Sequence, residues 1–484
     1  MDTEHARQSR LPAADGQLVV GQQLEGVVSG LSHDGLAVVR HHGQVLFAPG
    51  GLPGETLRLR VLHRSRSHWS AEVLAVLEPS PERRRPPCIL AEHCGGCSVQ
   101  HLEQQAQQRW KRQKLIDALQ RIARLGHDWD ALMPPTLSAG AGLGYRNRAV
   151  LPLERRADGT LRAGYYRPGS HRIVNLNHCP VLDPRLDALI APLKADLEAS
   201  GWPVDRHLRS TGGLRHLALR LGHHSGELLI TLVSSHRRLD GLEELAGRWL
   251  DRWPQLVGVC LNIQDRPTNT LLGPTTGVVA GRDWLREGFA GQELQVGADS
   301  FFQVNTVQAE AVVPLLHSAF AGQSPGVVID AYCGIGTYSL PLAAAGWSVL
   351  GMERNPAAVD LARRNAVVNR LAERCRFQEG PVAELLAEAI PDCQALVVDP
   401  PRKGLEPAVL AAVLAAPPPS LLYLSCDPAT LARDLGALAG PEGPYSLESV
   451  QPIDFFPQTS HVEALAVLRL SAAGRPAASP GPCG

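Results

Sequence analysis

The sequence is short of lysine, of net charge and of long apolar runs. Its only lysines are Lys111, Lys114, Lys194 and Lys403, so its basic residues are almost all arginine. With 47 basic and 48 acidic residues its formal net charge is −1. That excludes a polycation that coats nucleic acid along its whole length, and any basic surface must be local. No apolar run approaches the ~20 residues of a membrane helix. The start, MDTEHARQSR, lacks the hydrophobic stretch of a secretory signal, so the chain is read as cytoplasmic and away from membranes. In that compartment ten cysteines point to metal ligands, catalytic groups or core residues rather than to disulfides. A length of 484 residues at 44% hydrophobic predicts several domains with sizeable cores.

The pattern divides the chain into stretches. Residues 1–17 are polar and aperiodic, read as a disordered tail. Residues 18–78 carry short alternating runs split by Gly-rich turns, with a hairpin turn at His41, His42 and Gly43. This spacing predicts a small oligonucleotide-binding-like barrel. Arg58, Arg60, His63, Arg64, Arg66, His68 and Trp69 could serve it for RNA, or the barrel could be an adaptor without RNA contact.

Residues 79–133 open with the linker PSPERRRPP and go on to Cys88-x5-Cys94-x2-Cys97 and a long helical stretch, Leu102 to Leu125. Cys179 lies far downstream. Paired close cysteines plus a remote one predict a four-thiolate site, with zinc and an iron–sulfur cluster as the two candidates. Residues 134–296 alternate strands and helices. Between Tyr145 and Arg172 they bring together Arg146, Arg148, Arg155, Arg156, Arg162, Arg167 and Arg172, with Tyr165 and Tyr166 read at a hairpin tip. Arginines among aromatics suit stacked bases and phosphates, although a solvated charged face has the same composition.

Residues 297–470 read as a doubly wound α/β unit. In GVVIDAYCGIGTYSL, Asp330 ends a buried strand, and Gly334 and Gly336 allow a tight turn close to a ligand. Glu353 ends the next strand, at the distance that suits a ribose diol. Ser339 stands where a dinucleotide fingerprint has its third glycine, which favours a nucleoside cofactor without pyrophosphate, S-adenosylmethionine. Asp399 ends a strand before a Pro-Pro turn. In LLYLSCDPATLARDL, Cys426 lies on a strand-to-helix turn, where the helix dipole favours thiolate. If the last strand is antiparallel, Glu463 at its start joins Asp330, Glu353, Asp399 and Cys426 on one sheet edge. A thiolate, a methyl donor and a carboxylate on one edge suit methylation at C5 of uracil. Addition at C6 activates C5, and a base then removes the C5 proton. Residues 471–484, with Cys483, are read as a second disordered tail.

These motifs together resemble the RNA uracil-5-methyltransferase family, in its iron–sulfur branch with an amino-terminal TRAM barrel that modifies 23S ribosomal RNA. The matching stretches are the four cysteines, Ser300-Phe-Phe-Gln-Val-Asn305, Asp330-Ala-Tyr-Cys-Gly-Ile-Gly-Thr337, Asp399-Pro-Pro-Arg-Lys-Gly404, Ser425 to Arg433, and Phe456-Pro-Gln-Thr-Ser-His-Val-Glu463. The resemblance implies a Rossmann-like methyltransferase domain, an α+β central RNA-binding domain and the barrel. It implies a 4Fe–4S cluster on Cys88, Cys94, Cys97 and Cys179. It implies S-adenosylmethionine contacts at Gln303, Tyr332, Thr337, Glu353 and Asp399, Cys426 as nucleophile and Glu463 as general base. Phe301 or Phe302 is expected to stack on a base. The target uridine is expected to be flipped from its RNA by a monomeric enzyme. The same chemistry on transfer RNA, and a non-catalytic cluster protein that binds RNA, are the alternatives.

Overall fold

The computed structural model describes residues 17–209 and 212–471. The disorder expected for 1–17 and 471–484 falls on stretches almost wholly outside the described residues, as does Cys483. The described chain forms two compact units. One holds residues up to Glu92 with Cys97–Gln107 and Gln458–Ser460, and the other holds His93–Gly96, Gln108–Pro457 and the residues from His461 on.

In the first unit β1 (Gln23–Leu31), β2 (Ala37–His41), β3 (Gln44–Ala48), β4 (Thr56–Arg64) and β5 (Trp69–Glu78) close into a barrel in the order β1-β2-β3-β5-β4. Alternate residues point inward. Val39, Leu46, Leu57 and Leu59 are fully buried in its core. His42 and Gly43 form the two-residue turn between β2 and β3 with φ of 46° and 77°, the left-handed pair that such hairpins need. The PSPERRRPP stretch is less free than its composition suggests. Arg83 donates to both carboxylate oxygens of the fully buried Glu55 and to Gly50 O, at 2.5–2.7 Å. Two of the arginines read as RNA contacts, Arg58 and Arg60, are ion-paired on the barrel surface to Glu25 and Glu72, which stand directly opposite them across the strands.

In the second unit β6 (Arg148–Arg155), β7 (Leu161–Ala163), β8 (Leu214–Leu221), β9 (Leu228–Ser234), β10 (Leu256–Ile263) and β11 (Thr275–Gly281) form a sheet of order β11-β10-β9-β8-β6-β7. Every residue of β8 and β9 is buried. The tip of the expected arginine hairpin lies past Tyr166, which bridges to Ile173; Arg167 N donates to Arg172 O across it. Arg155 is consumed by structure, its guanidinium donating to Gly159 O and Leu197 O.

A hairpin, β12 (Trp284–Phe289) and β13 (Gln292–Gly297), leads to the last sheet. This contains β14 (Val327–Ala331), β15 (Ser348–Glu353), β16 (Cys375–Glu379), β17 (Ala395–Val398), β18 (Ser420–Ser425), β19 (Tyr445–Ile453) and β20 (Glu463–Leu470). Its order is β16-β15-β14-β17-β18-β20-β19. The strands from β14 to β18 are parallel, and β20 runs antiparallel to β18. β17 and β18 are buried along their whole length, which is why they read as unbroken apolar runs. β15 and β17 flank β14 on opposite sides, so the strand order reverses there and opens a crevice at the carboxyl ends. No helix among the described residues is long and apolar enough to cross a membrane.

Candidate active site

The crevice is built from strand ends. β14 delivers Asp330, which is 2% exposed and accepts a hydrogen bond from Ser339 Oγ. Burial, reinforced by the charge of Glu353, pushes its carboxyl up to about 7. The turn that follows is left-handed at three residues, Tyr332 (φ 68°), Gly334 (φ 55°) and Gly336 (φ 83°). Tyr332 is thus held in a conformation that a non-glycine residue adopts at a cost. Glu353, at the end of β15, receives Gly334 N on one oxygen at 3.2 Å and Asn355 N on the other at 2.8 Å. Each oxygen keeps a lone pair for a further donor such as a ribose hydroxyl. Thr337 is half-buried on the same turn.

The Ser300–Asn305 loop comes in from β13. Gln303 is buried, and its carbonyl accepts from Asn147 Nδ2 at 2.8 Å. The two phenylalanines part company. Phe302 lies in the core against Phe289, and Phe301 is 64% exposed. Only Phe301 is free to meet a base.

Asp399 follows β17, Cys426 follows β18, and Glu463 opens β20. Ser425 is paired with Ala464 across the antiparallel ladder, so Cys426 and Glu463 emerge from neighbouring strands at the same edge. Asp399 is pushed up to about 7 by burial and by Asp330. Glu463 is 6% exposed, and burial, then Asp399, raises its carboxyl well above the usual range, with Arg402 opposing. Arg402 stands out as the cation that bears on both Glu463 and Cys426. The sequence shows it only as the residue after the Pro-Pro turn.

At Cys426 burial and the neighbouring acids work against the thiolate that a helix start favours. Burial, then Glu463 and Asp399, pushes the thiol up to about 12. The helix Pro428–Leu438 does start there, but Asp427 caps it and accepts Ala429 N and Thr430 N, each at 2.9 Å. The positive end of that helix is already answered by a carboxylate.

The same helix locks the Asp399 loop. Asp434 is fully buried and accepts from Leu405 N at 2.9 Å and Tyr423 OH at 2.7 Å, while Arg433 pairs with it and donates to Lys403 O at 3.0 Å. Gly404 makes this fit possible, with φ 75° and no room for a Cβ beside Asp434 Oδ2.

The nine described cysteines form no disulfide. Cys88, Cys94, Cys97 and Cys179 are half-buried. Leu90 N donates to Cys88 Sγ and Gly96 N to Cys94 Sγ, both at 3.4 Å, while Cys179 N donates to Asp187 at 2.6 Å. N–H groups directed at sulfur are what a ligating thiolate accepts, so the donor chemistry fits a metal–sulfur group. Among the described residues no three His, Cys, Asp or Glu side chains stand together as a metal site.

The tRNA (uracil-5-)-methyltransferase family matches residues 384–470. An RNA methyltransferase of uncharacterised specificity from Parasynechococcus marenigrum is 52% identical over 450 residues, covering 93% of this chain and 96% of its own. Another from Halalkalibacterium halodurans is 34% identical over 454 residues, covering 92% and 97%. Among solved structures, the Pyrococcus abyssi tRNA (uracil-54, C5)-methyltransferase in complex with S-adenosyl-L-homocysteine superimposes with a TM-score of 0.74 at 26% identity, covering 92% of this chain and 99% of that one. With relatives that match it nearly end to end, this chain belongs to the S-adenosylmethionine-dependent RNA uracil-5-methyltransferase family.

Proposed function

We propose that the protein methylates C5 of a uridine in 23S ribosomal RNA through a covalent adduct. The observation that carries this reading is the pairing of Ser425 with Ala464, which sets Cys426 and Glu463 side by side at the strand edge where Asp399 ends. S-adenosylmethionine, held by Gln303, Tyr332, Thr337, Glu353 and Asp399, supplies an electrophilic methyl group and a positive sulfonium. Cys426 Sγ gives its proton to solvent and bonds as thiolate to C6 of the uracil, which makes C5 nucleophilic; C5 then takes the methyl group, and S-adenosylhomocysteine is the leaving group. After methylation at C5, Glu463 takes the C5 proton, and the C6–S electron pair returns to sulfur as the ring double bond re-forms. Arg402 favours both anions that this sequence requires. Phe301, exposed at the rim, is positioned to stack on a base. Arg64 is exposed on the barrel where Arg58 and Arg60 are paired, but Trp69 beneath it, at 5.7 Å in cation–π contact, is buried in the barrel core and donates to Gln44, so it is not open to a base.

Cys88, Cys94, Cys97 and Cys179 would hold a 4Fe–4S cluster, whose place here is structural because methyl transfer moves no electron. The enzyme acts as a cytoplasmic monomer in this reading. Transfer RNA is the second candidate substrate, favoured by the names of the matching family and of the Pyrococcus structure.

The test uses RNA carrying 5-fluorouridine with S-adenosylmethionine. Fluorine at C5 cannot leave as a cation, so a protein–RNA adduct that survives denaturation is expected. Cys426→Ala should form none, and Glu463→Gln should accumulate adduct even on ordinary uridine. An undiminished rate of methylation by Cys426→Ala would sink the covalent reading. Mapping 5-methyluridine in unmodified 23S RNA and transfer RNA, incubated separately, decides between the substrates.

A further inference from the structure

The last strand enters its sheet through a long loop. Ile453 on β19 pairs with Glu463 on β20, and residues 454–462 join the two. Most connecting segments run over the surface and leave their carbonyls to water. This loop is buried from Asp454 to Thr459 except at Phe456. Four consecutive carbonyls in it each accept a hydrogen bond from a different part of the chain. Phe455 O receives Asn305 Nδ2 at 3.4 Å, Phe456 O receives Lys111 Nζ at 3.0 Å and Pro457 O receives Tyr145 OH at 3.1 Å. Gln458 O receives both Ser98 N and Val99 N at 3.1 Å. Two antiparallel strands can be joined by a two-residue turn, so a buried loop answered at every carbonyl from 455 to 458 asks for another reason.

Gln458 is where the loop is held most closely. It is fully buried, and its φ of 71° is a left-handed conformation that a non-glycine residue adopts at a cost. Its side-chain oxygen accepts from Arg84 Nη2 at 2.6 Å and Gln107 Nε2 at 3.0 Å, and its own N–H donates to Gln107 Oε1 at 2.9 Å. Two residues on, Ser460 N donates to Ser98 Oγ at 2.9 Å. The residues that grip Gln458 belong to the cysteine-bearing segment. Ser98 and Val99 come straight after Cys97. Gln100 ties the segment together, its Oε1 receiving Cys88 N at 3.2 Å and its carbonyl receiving Arg84 Nε at 3.0 Å.

We propose that Gln458 is a positioning residue for the release of the methylated uridine, the keystone through which the cysteine-bearing segment fixes the loop that ends in Glu463. The inference rests on the assignment of Glu463 as the base. In the release step Glu463 takes the C5 proton, the C5–H electron pair re-forms the ring double bond, and the C6–S pair returns to Cys426. A base acts only within hydrogen-bond reach of its proton, and a displacement of about 1 Å costs about a hundredfold. Cys426 is delivered by β18 and the helix after it, so the loop bears on release and not on attack.

Gln458→Gly removes the side-chain acceptor and suits the left-handed backbone, so it loosens the clamp without adding strain. Ser98→Ala removes only the hydroxyl that receives Ser460 N. Each full-length variant and the parent would be taken through one turnover with S-adenosylmethionine, well below the thermal midpoint, on the unmodified RNA, 23S or transfer, that mapping shows to be methylated. Adduct that survives denaturation and free 5-methyluridine would be followed together. The expected result is capture within about twofold of the parent and release slowed about ten- to a hundredfold in Gln458→Gly, so that adduct accumulates on ordinary uridine. Ser98→Ala should slow release by a smaller factor, about threefold. A merely structural residue would slow capture and release in equal proportion. That outcome in Gln458→Gly, or release at the parental rate, would overturn the proposal. Where Gln458→Gly does not fold, Ser98→Ala decides by the same two rates. Glu463→Gln is run in parallel. If it holds adduct while Gln458→Gly releases normally, only the role of Gln458 falls. If it releases adduct at the parental rate, the base assignment falls and this inference with it.

Discussion

Two buried glutamates show opposite ways of placing an acid inside a protein. Glu55, in the barrel unit, is fully buried and surrounded by donors: Leu52 N, Ser80 N, and the Nε and Nη2 of Arg83. Burial works against its charge, but the Arg83 guanidinium and the backbone N–H groups win and hold its carboxyl below the usual range. Glu463 is buried almost as deeply, with Asp399 facing it and only Arg402 in opposition, and its carboxyl lies well above that range. The first is a strut that gains its stability from being charged. The second faces another acid, and on the proposed reading its raised proton affinity suits transfer rather than packing.

Breaking each acid should therefore have opposite consequences. Arg83→Ala leaves Glu55 buried without its guanidinium and should cost about 3–5 kcal/mol, seen as an early thermal transition. Methylation measured well below that transition should persist. Glu463→Gln should do the reverse. It should leave stability unchanged or raise it by about 1 kcal/mol, because a poorly satisfied ionisable group is removed, while lowering turnover by about two to four orders of magnitude.

The pH dependence of stability sharpens the contrast. Asp399 is an acid whose folded value, about 7, lies above its unfolded one. Its contribution is fully present below the unfolded value, about 3.9, and is lost as pH rises through the folded one. Glu55 is depressed, so its contribution is present at neutral pH and is lost as pH falls through its folded value. Denaturant titrations at a series of pH values should show Asp399→Asn flattening the decline between pH ~4 and ~7, and Glu55→Gln flattening the acid limb. The smallest effect is expected at Arg58→Ala. That ion pair is half-exposed on both sides, and its loss should change stability by less than about 1 kcal/mol.

Much of the catalytic half could be read from sequence because its signals are local. The apolar runs of β14, β17 and β18 each end in a chemically distinct residue, and the glycine turn and Pro-Pro turn punctuate them. What could not be read depends on residues distant in sequence. In the sequence Arg58 and Arg60 suit RNA contact or an adaptor surface equally, and only strand register reveals that each stands opposite an acid. Arg83 was placed in a linker, but it is anchored in the barrel by Glu55, 28 residues before it. Cys426 was expected to ionise from its place at a helix start. Its capping aspartate was visible in the sequence, but burial between Asp399 and Glu463 was not.

The reversed direction of β20 also bears on how the enzyme comes into being. On the covalent reading, the nucleophile follows β18 and the base opens β20, the last strand in the chain, which inserts between β18 and β19. A chain that has folded as far as β18 has a cysteine at a crevice edge and no means of releasing what it might capture. Seating the final strand would supply the exit step and, in the same event, set Glu463 beside Cys426. On that reading the attack and the release would become available together, and a half-made enzyme would be spared from trapping itself on RNA.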